Sequence, residues 1–190
     1  MKNKKLVGLV LVGLLAVGGI AGGTLAYFTD SKEATNVITM GKVAIDLTEP
    51  NFEADKKIEN VKPNQVITKD PTITVKADSN DAYVRATISF SGALTQTQQN
   101  ELLANIVINN GWKLVNGYYY YNKALTAGES VKLFDEVKIP ETWDNTMASK
   151  TFEINVKGEA IQKDSFTPAT DVNGFVTGWF YSDGSAVVAK

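Results

Sequence analysis

Alternation with a period of two dominates this chain. Val43, Ile45 and Leu47 alternate with Lys42, Ala44, Asp46 and Thr48, and Ile73, Val75 and Ala77 alternate with Thr72, Thr74 and Lys76. Val84, Ala86, Ile88 and Phe90 share one side of a third stripe, with Arg85, Thr87 and Ser89 on the other. A late stripe carries Phe152, Ile154, Val156 and Gly158, extended by Ala160. Successive side chains of a strand point to opposite faces, so each stripe predicts a strand with one buried and one wet face. Trp112–Val115 and Tyr118–Tyr121 flank Asn116-Gly117, a hairpin signal because both turn positions need positive φ. Shorter strands are predicted at 131–134 and 137–139, the second stopped by Pro140.

One segment breaks the period. Thr95-x-x-Gln98 reads as a capping box ahead of Leu102, Leu103 and Ile106, which predicts a helix over about residues 96–107. Residues 49–70 read as a loop with a weak strand around 57–61 and a turn at Lys62-Pro63-Asn64-Gln65. The tail is rich in Gly, Ser, Thr and Asp, yet carries Phe175, Val176, Trp179, Phe180 and Tyr181, which need cover. Asp183-Gly184 predicts a small turn there. Many short strands, turns between them and one short helix predict an all-β chain: a jelly-roll β-sandwich of two antiparallel sheets.

The N-terminus follows another pattern. Lys2, Lys4 and Lys5 lead into an apolar run over 6–21, and Thr24-Leu25-Ala26 sets small side chains one and three residues before a cut between Ala26 and Tyr27. That is the layout of a secretory signal peptide. The run is shorter than the roughly 20 apolar residues of a spanning helix; an uncleaved N-terminal anchor is the alternative. Cleavage leaves 164 of the 190 residues and takes the net charge from −2 to −5, because three lysines and no acid leave with the peptide. A mildly acidic domain with one arginine, Arg85, is a poor nucleic-acid binder, and no polybasic block suggests a membrane patch. The expected organisation is a signal peptide over 1–26, an N-terminal segment over 27–41, a sandwich domain over 42–163 and an aromatic tail or extra hairpin over 164–190.

The chain has no cysteine and no histidine. That excludes a Ser-His-Asp triad, a Cys-His pair and the His-Glu-x-x-His zinc motif. Zinc held by carboxylates alone is unusual, so no catalytic residue, metal ligand or cofactor is expected. Asp46, Glu49, Asp78 and Asp81 are spread over loops and strand ends. Asp78-Ser79-Asn80-Asp81 offers oxygens for calcium but reads more simply as a turn. Ile139-Pro140-Glu141-Thr142-Trp143 faintly resembles a sortase site, without the hydrophobic tail and basic end that wall anchoring requires. In the run Tyr118–Tyr121, alternation sends two rings inward and two outward. Tyr119 and Tyr121, with Trp179 in the tail, are candidates for surface contacts with sugars or a neighbouring protein. An isopeptide bond needs a lysine, an asparagine and a carboxylate together; the sequence offers many and selects none.

Gly22-Gly23-Thr24-Leu25-Ala26-Tyr27-Phe28-Thr29-Asp30 resembles the signal-peptide region of substrates of the SipW-type signal peptidase. Gly41-Lys42-Val43-Ala44-Ile45-Asp46-Leu47 looks like the first core strand of the same group, and 62–71, 80–85, 127–134 and 156–162 are similar to its later motifs. The group is the TasA/camelysin (CalY) family of exported matrix proteins. The resemblance covers roughly residues 1–163, is most specific at the signal region, and does not extend to the tail.

The resemblance implies a secreted jelly-roll subunit of extracellular biofilm-matrix fibres, on or outside a Gram-positive cell. The segment after the cut then acts as a donor strand that completes a sheet in the next copy. Its partners would be further copies of itself, the signal peptidase, and minor fibre or anchor proteins, with membrane contact only before cleavage. The residues agree in kind: 27–41 carries Tyr27, Phe28, Ala34, Val37, Ile38 and Met40 among polar residues. An extended segment of that sort adds to an open sheet edge, with alternate side chains filling pockets. An ordinary N-terminal strand or frayed arm is the other reading. Two further classes stay open: a surface binding module built on the aromatics, and a camelysin-like metallopeptidase.

Overall fold

Pairing of the alternating stripes builds two facing sheets and a hairpin that covers one of them. The computed structural model describes residues 41–52, 58, 61–144, 147 and 150–187. All lie in one compact unit, Met40–Lys190. The cleavage positions Ala26 and Tyr27, the segment residues Phe28, Ala34, Val37, Ile38 and Met40, and most of the predicted 57–61 strand lie outside the described residues.

The elements run β1 (Ile45–Thr48), β2 (Val66–Thr68), β3 (Thr72–Val75), β4 (Ala82–Gly92), α1 (Gln96–Ala104), β5 (Ile106–Ile108), β6 (Trp112–Val115), β7 (Tyr118–Tyr121), β8 (Ser130–Lys132), β9 (Phe134–Lys138), β10 (Phe152–Gln162), β11 (Thr167–Thr170) and β12 (Val176–Phe180). Every pairing is antiparallel. In the first layer β2 pairs with β9 and β3 with β8, so one bent ladder joins 66–75 to 130–138. The bend falls at Asp70-Pro71, where the Lys69 N–H donates to the Asp135 carbonyl (3.2 Å) and the Leu133 N–H to the Pro71 carbonyl (2.9 Å). β1 adds to β3 and β5 to β9. The second layer has the order β10-β4-β7-β6.

Between the layers Ile73, Val75, Phe134 and Val137 of the first meet Val84, Ala86 and Trp112 of the second, all buried. The Trp112 indole N–H donates to the Lys132 carbonyl at 2.9 Å, tying β6 to β8. Helix α1 starts with the predicted capping box: the Gln98 N–H donates to Thr95 Oγ1 (3.3 Å) and the Thr95 N–H to Gln98 Oε1 (3.0 Å). Leu102 is its buried anchor. Asn116 and Gly117 take φ of 51° and 83°, as the predicted β6–β7 turn requires.

Four expectations change. The helix stops at Ala104, capped by Asn105, and Ile106-Val107-Ile108 forms the unpredicted β5. Three β-branched residues favour the pleated surface, and Ile106 fills the core there. The predicted strands at 131–134 and 137–139 become β8 and β9, broken at the buried Leu133. β2 was not foreseen, because three residues carry too little periodicity. Of the two expectations for the tail the extra hairpin is the one that forms, as β11–β12, turned by Asp171, whose Oδ1 accepts from the N–H groups of Asn173 and Phe175 (2.9 Å each). The Asp183-Gly184 turn also exists, beyond β12, with the Tyr181 N–H on the Ser185 carbonyl at 2.9 Å. The hairpin covers part of the outer side of the second layer, so that face is dry around Arg85, which is 3% exposed, and wet from Ser89 and Asn155 onward.

Candidate functional site

The sandwich offers strand edges, and they differ in length. Among the described residues, β10 has one partner strand, β4, along all eleven of its residues, and the register runs without a bulge from Phe152↔Gly92 to Gln162↔Ala82. The other terminal strands of the two layers are β1 and β6, each four residues, and β2, β5 and β8, each three. Long unprotected edges present backbone N–H and C=O groups to any extended chain.

Burial along the inner face of this edge is graded. On β4, Val84 and Ala86 are fully buried, while Ile88 and Phe90 further along the same face are half-exposed. Opposite them on β10, Ile154 and Val156 are half-exposed too. The sheets are in close contact at Gly158, where an added Cβ would lie 3.1 Å from the Ile73 Cδ1 and 3.5 Å from the Ile45 Cδ1. Beyond β1, which ends at Thr48, the chain turns aside and the Asn51 N–H donates to Asp70 Oδ1 (2.9 Å). Among the described residues, a strip of four large apolar side chains beside the longest edge is therefore only partly buried.

The carboxylates are engaged. Asp46 pairs with Lys76 (2.8 Å), Glu49 with Lys69 (2.5 Å), Asp78 with Lys42 (2.5 Å) and Asp81 with Lys163 (3.6 Å). The hydrogen bond from Lys42 holds the Asp78 carboxyl below its usual range. Ser79 is buried, its hydroxyl accepting from the Ala44 N–H (3.1 Å) and donating to the Asn80 carbonyl (2.9 Å), so 78–81 is a turn that anchors the approach to β1. Among the described residues no three His, Cys, Asp or Glu side chains are grouped to hold a metal ion. Lysine-paired carboxylates on separate elements do not fit a catalytic zinc.

The aromatic residues are not on one exposed surface. Tyr119 is 7% exposed and packs in the main core, where burial pushes its hydroxyl above the usual tyrosine range. Tyr121 is half-buried, tilted against Trp112 at 5.2 Å. Trp179 is 2% exposed. Both sides of the tyrosine strand are covered, Tyr119 by the core and Tyr120 by the hairpin, which corrects the expectation of outward Tyr119 and Trp179.

The buried centre under the hairpin is Arg85. Its Nε and Nη2 donate to Glu159 Oε2 (2.9 and 2.7 Å), and its Nη1 donates to the Tyr120 hydroxyl (2.9 Å). The guanidinium lies 4.1 Å from the Tyr118 ring centroid and 4.5 Å from that of Trp179. Burial opposes its charge, but Glu159 and Tyr120 outweigh that and raise its pKa. Burial likewise works to raise Glu159, and the bonds from Lys157 (2.8 Å) and Arg85 outweigh it, leaving the carboxyl below its ordinary value. The Trp179 indole N–H is buried without a hydrogen-bond partner, a cost that the stacking must offset. The sequence signal was present: a lone arginine on a presumed wet stripe, and a tail of aromatics in need of cover.

Two remaining motifs are structural. Ile139, Pro140 and Trp143 of the sortase-like run are buried, and Ile139 is bonded through its backbone to Asn64 and Gln65, so the run is closed to a transpeptidase. Lys132, Asp70 and Asn51 bring together the residue types of an isopeptide bond, with Lys132 3.6 Å from Asp70 and the Asn51 amide 2.8 Å from it. The hydrogen bond to Asp135 raises the Lys132 amine above its usual value and keeps it protonated, which disfavours nucleophilic attack.

Residues 1–109 match the model of a family described as camelysin metallo-endopeptidase. No curated protein and no solved structure matches the chain.

Proposed function

This chain belongs to the camelysin metallo-endopeptidase family, and from that premise we propose that it is an exported structural subunit of extracellular matrix fibres. In this reading a SipW-type signal peptidase cuts between Ala26 and Tyr27. The freed segment, with Tyr27, Phe28, Ala34, Val37, Ile38 and Met40, then leaves its own copy and completes a sheet in the next. Minor fibre or anchor proteins join the same assembly. Head-to-tail addition does not close on itself, so it generates a filament. Before the cut the strand is tethered at the membrane, and cleavage licenses assembly.

The observation that carries the reading is the eleven-residue β10 edge, which has β4 as its one partner strand among the described residues. Peptidase chemistry has less support, because the chain has no histidine and its flagged carboxylates are held by lysines. The surface-binding reading rested on Tyr119 and Trp179, which are core residues.

The test compares a chain starting at Tyr27 with one starting at Gly41 by electron microscopy and sedimentation. The first is expected to form filaments and the second to stay monomeric. If both stay monomeric across pH, salt and concentration, this N-terminus does not drive assembly.

A further inference from the structure

We propose that the acceptor for the incoming segment is the outer edge of β10, with the half-covered strip Ile88, Phe90, Ile154 and Val156 as the floor into which its alternate side chains insert. This rests on the donor-strand reading above and adds the site, the phase and the direction of growth.

Three observations single out this edge. β10 is the longest edge strand among the described residues, about 36 Å at 3.3 Å per residue. In an antiparallel ladder alternate residues turn their N–H and C=O outward, so about half of its backbone groups face away from β4. Natural edges of this length are blunted by proline, bulges or a covering element. β10 contains no proline and its register is unbroken. The competing edge β6 is shorter and leans on the hairpin, through the Lys113–Asp171 ion pair. β5 and β2 carry exposed Val107 and Val66, but over three residues each.

The second observation is the floor. Val84 and Ala86 are fully buried, whereas Ile88, Phe90, Ile154 and Val156 pack against the same core and stay partly exposed among the described residues. Half-covered aliphatic and aromatic side chains beside free backbone groups are what strand addition uses: backbone bonds for affinity, alternate pockets for register. Within 33–40, Ala34, Asn36, Ile38 and Met40 share one parity, and Glu33, Thr35, Val37 and Thr39 share the other. The even set holds three apolar side chains to the odd set's one and so suits the floor better, and the odd positions are assigned outward, level with Glu153, Asn155 and Lys157 on the exposed face of β10.

The third observation gives direction. The chain enters the sandwich at Gly41, against the far end of β10: a Cβ on Gly41 would lie 2.8 Å from the Gln162 side chain. The floor lies around Ile154 and Val156, about 20 Å away along the same strand. Each copy thus sends its segment out at one end of β10 and receives its neighbour's nearer the other. Exit and acceptor are different surfaces, the arrangement of an open filament.

The chain contains no cysteine, so introduced pairs report without background. Chains starting at Tyr27 and carrying Asn155→Cys are mixed with chains carrying Thr35→Cys, Val37→Cys or Thr39→Cys, and oxidised during assembly. Leu114→Cys on β6 and Val107→Cys on β5 replace Asn155→Cys as controls. A disulfide-linked dimer is expected with Asn155→Cys for at least one outward position, lost on adding reductant and absent from both controls. Filaments that form with no link at Asn155, or with links at the controls instead, overturn the β10 acceptor and leave the fibre reading standing. A Val37→Cys/Asn155→Cys double variant that closes internally while the mixtures stay unlinked overturns exchange between copies. Absence of both filaments and links removes the donor-strand reading and the acceptor with it.

Discussion

Removing the Arg85 guanidinium should release the tail hairpin before it disturbs the sandwich. Arg85→Ala deletes two bonds to Glu159, one to Tyr120 and the stacking on Tyr118 and Trp179. Breaking a buried charge pair from one side costs about 3–5 kcal/mol. Lys157 remains bonded to Glu159, which places this part near 3 kcal/mol on the scale of about 3–5. Loss of the desolvated cation–π contacts adds about 1 kcal/mol. The expected total is about 4 kcal/mol, or roughly 8–16 °C in Tm for a chain of this size. Arg85→Lys keeps the charge but loses the planar fork and stack, and should fall about halfway, near 2 kcal/mol.

The assay is urea unfolding followed by tryptophan emission, with hydrogen exchange resolved along the chain. Trp179 is nearly fully buried, so its emission should shift to the red early and the amides of β11 and β12 should lose protection first. Arg85→Ala within about 1 kcal/mol of the natural chain, with hairpin amides still protected, would refute the assignment of the cage as the hairpin's anchor.

Two other predictions follow from the geometry. Glu159 has a folded pKa below its ordinary value of 4.5, so its contribution is complete above that pH and is lost as pH falls through the depressed folded value. Acidification below about pH 4.5 should loosen the hairpin, read by near-ultraviolet circular dichroism, and Glu159→Gln should flatten that dependence at a cost of about 3 kcal/mol near neutrality, because it leaves the buried Arg85 charge uncompensated. Gly158→Val forces branched atoms toward Ile73 and Ile45 at a close contact between the sheets and should cost about 1–3 kcal/mol by overpacking, measured as a lower urea midpoint at unchanged slope.

What could be read locally was read correctly. The β6–β7 hairpin needs only Asn116-Gly117 between two apolar runs, and the start of α1 needs only Thr95 and Gln98, because turn and cap energetics act over four residues. The long stripes of β4 and β10 carry enough alternation to declare themselves. Three-residue strands such as β2 and β5 hold too few alternations and form because a neighbour pairs with them.

The sequence by itself determined a mostly antiparallel sandwich and a chain without histidine or cysteine, because composition, periodicity and turn residues act within short windows. Only the tertiary structure decided which faces are wet. Arg85, Tyr119 and Trp179 sit on stripes whose alternation says two sides but not what covers them, and the covering hairpin comes from the far end of the chain. The half-covered floor beside β10 belongs to the same class of fact. Among the described residues β1 ends at Thr48 while β10 runs on, and the relative lengths of strands in facing sheets are set by long-range pairing that no local window contains.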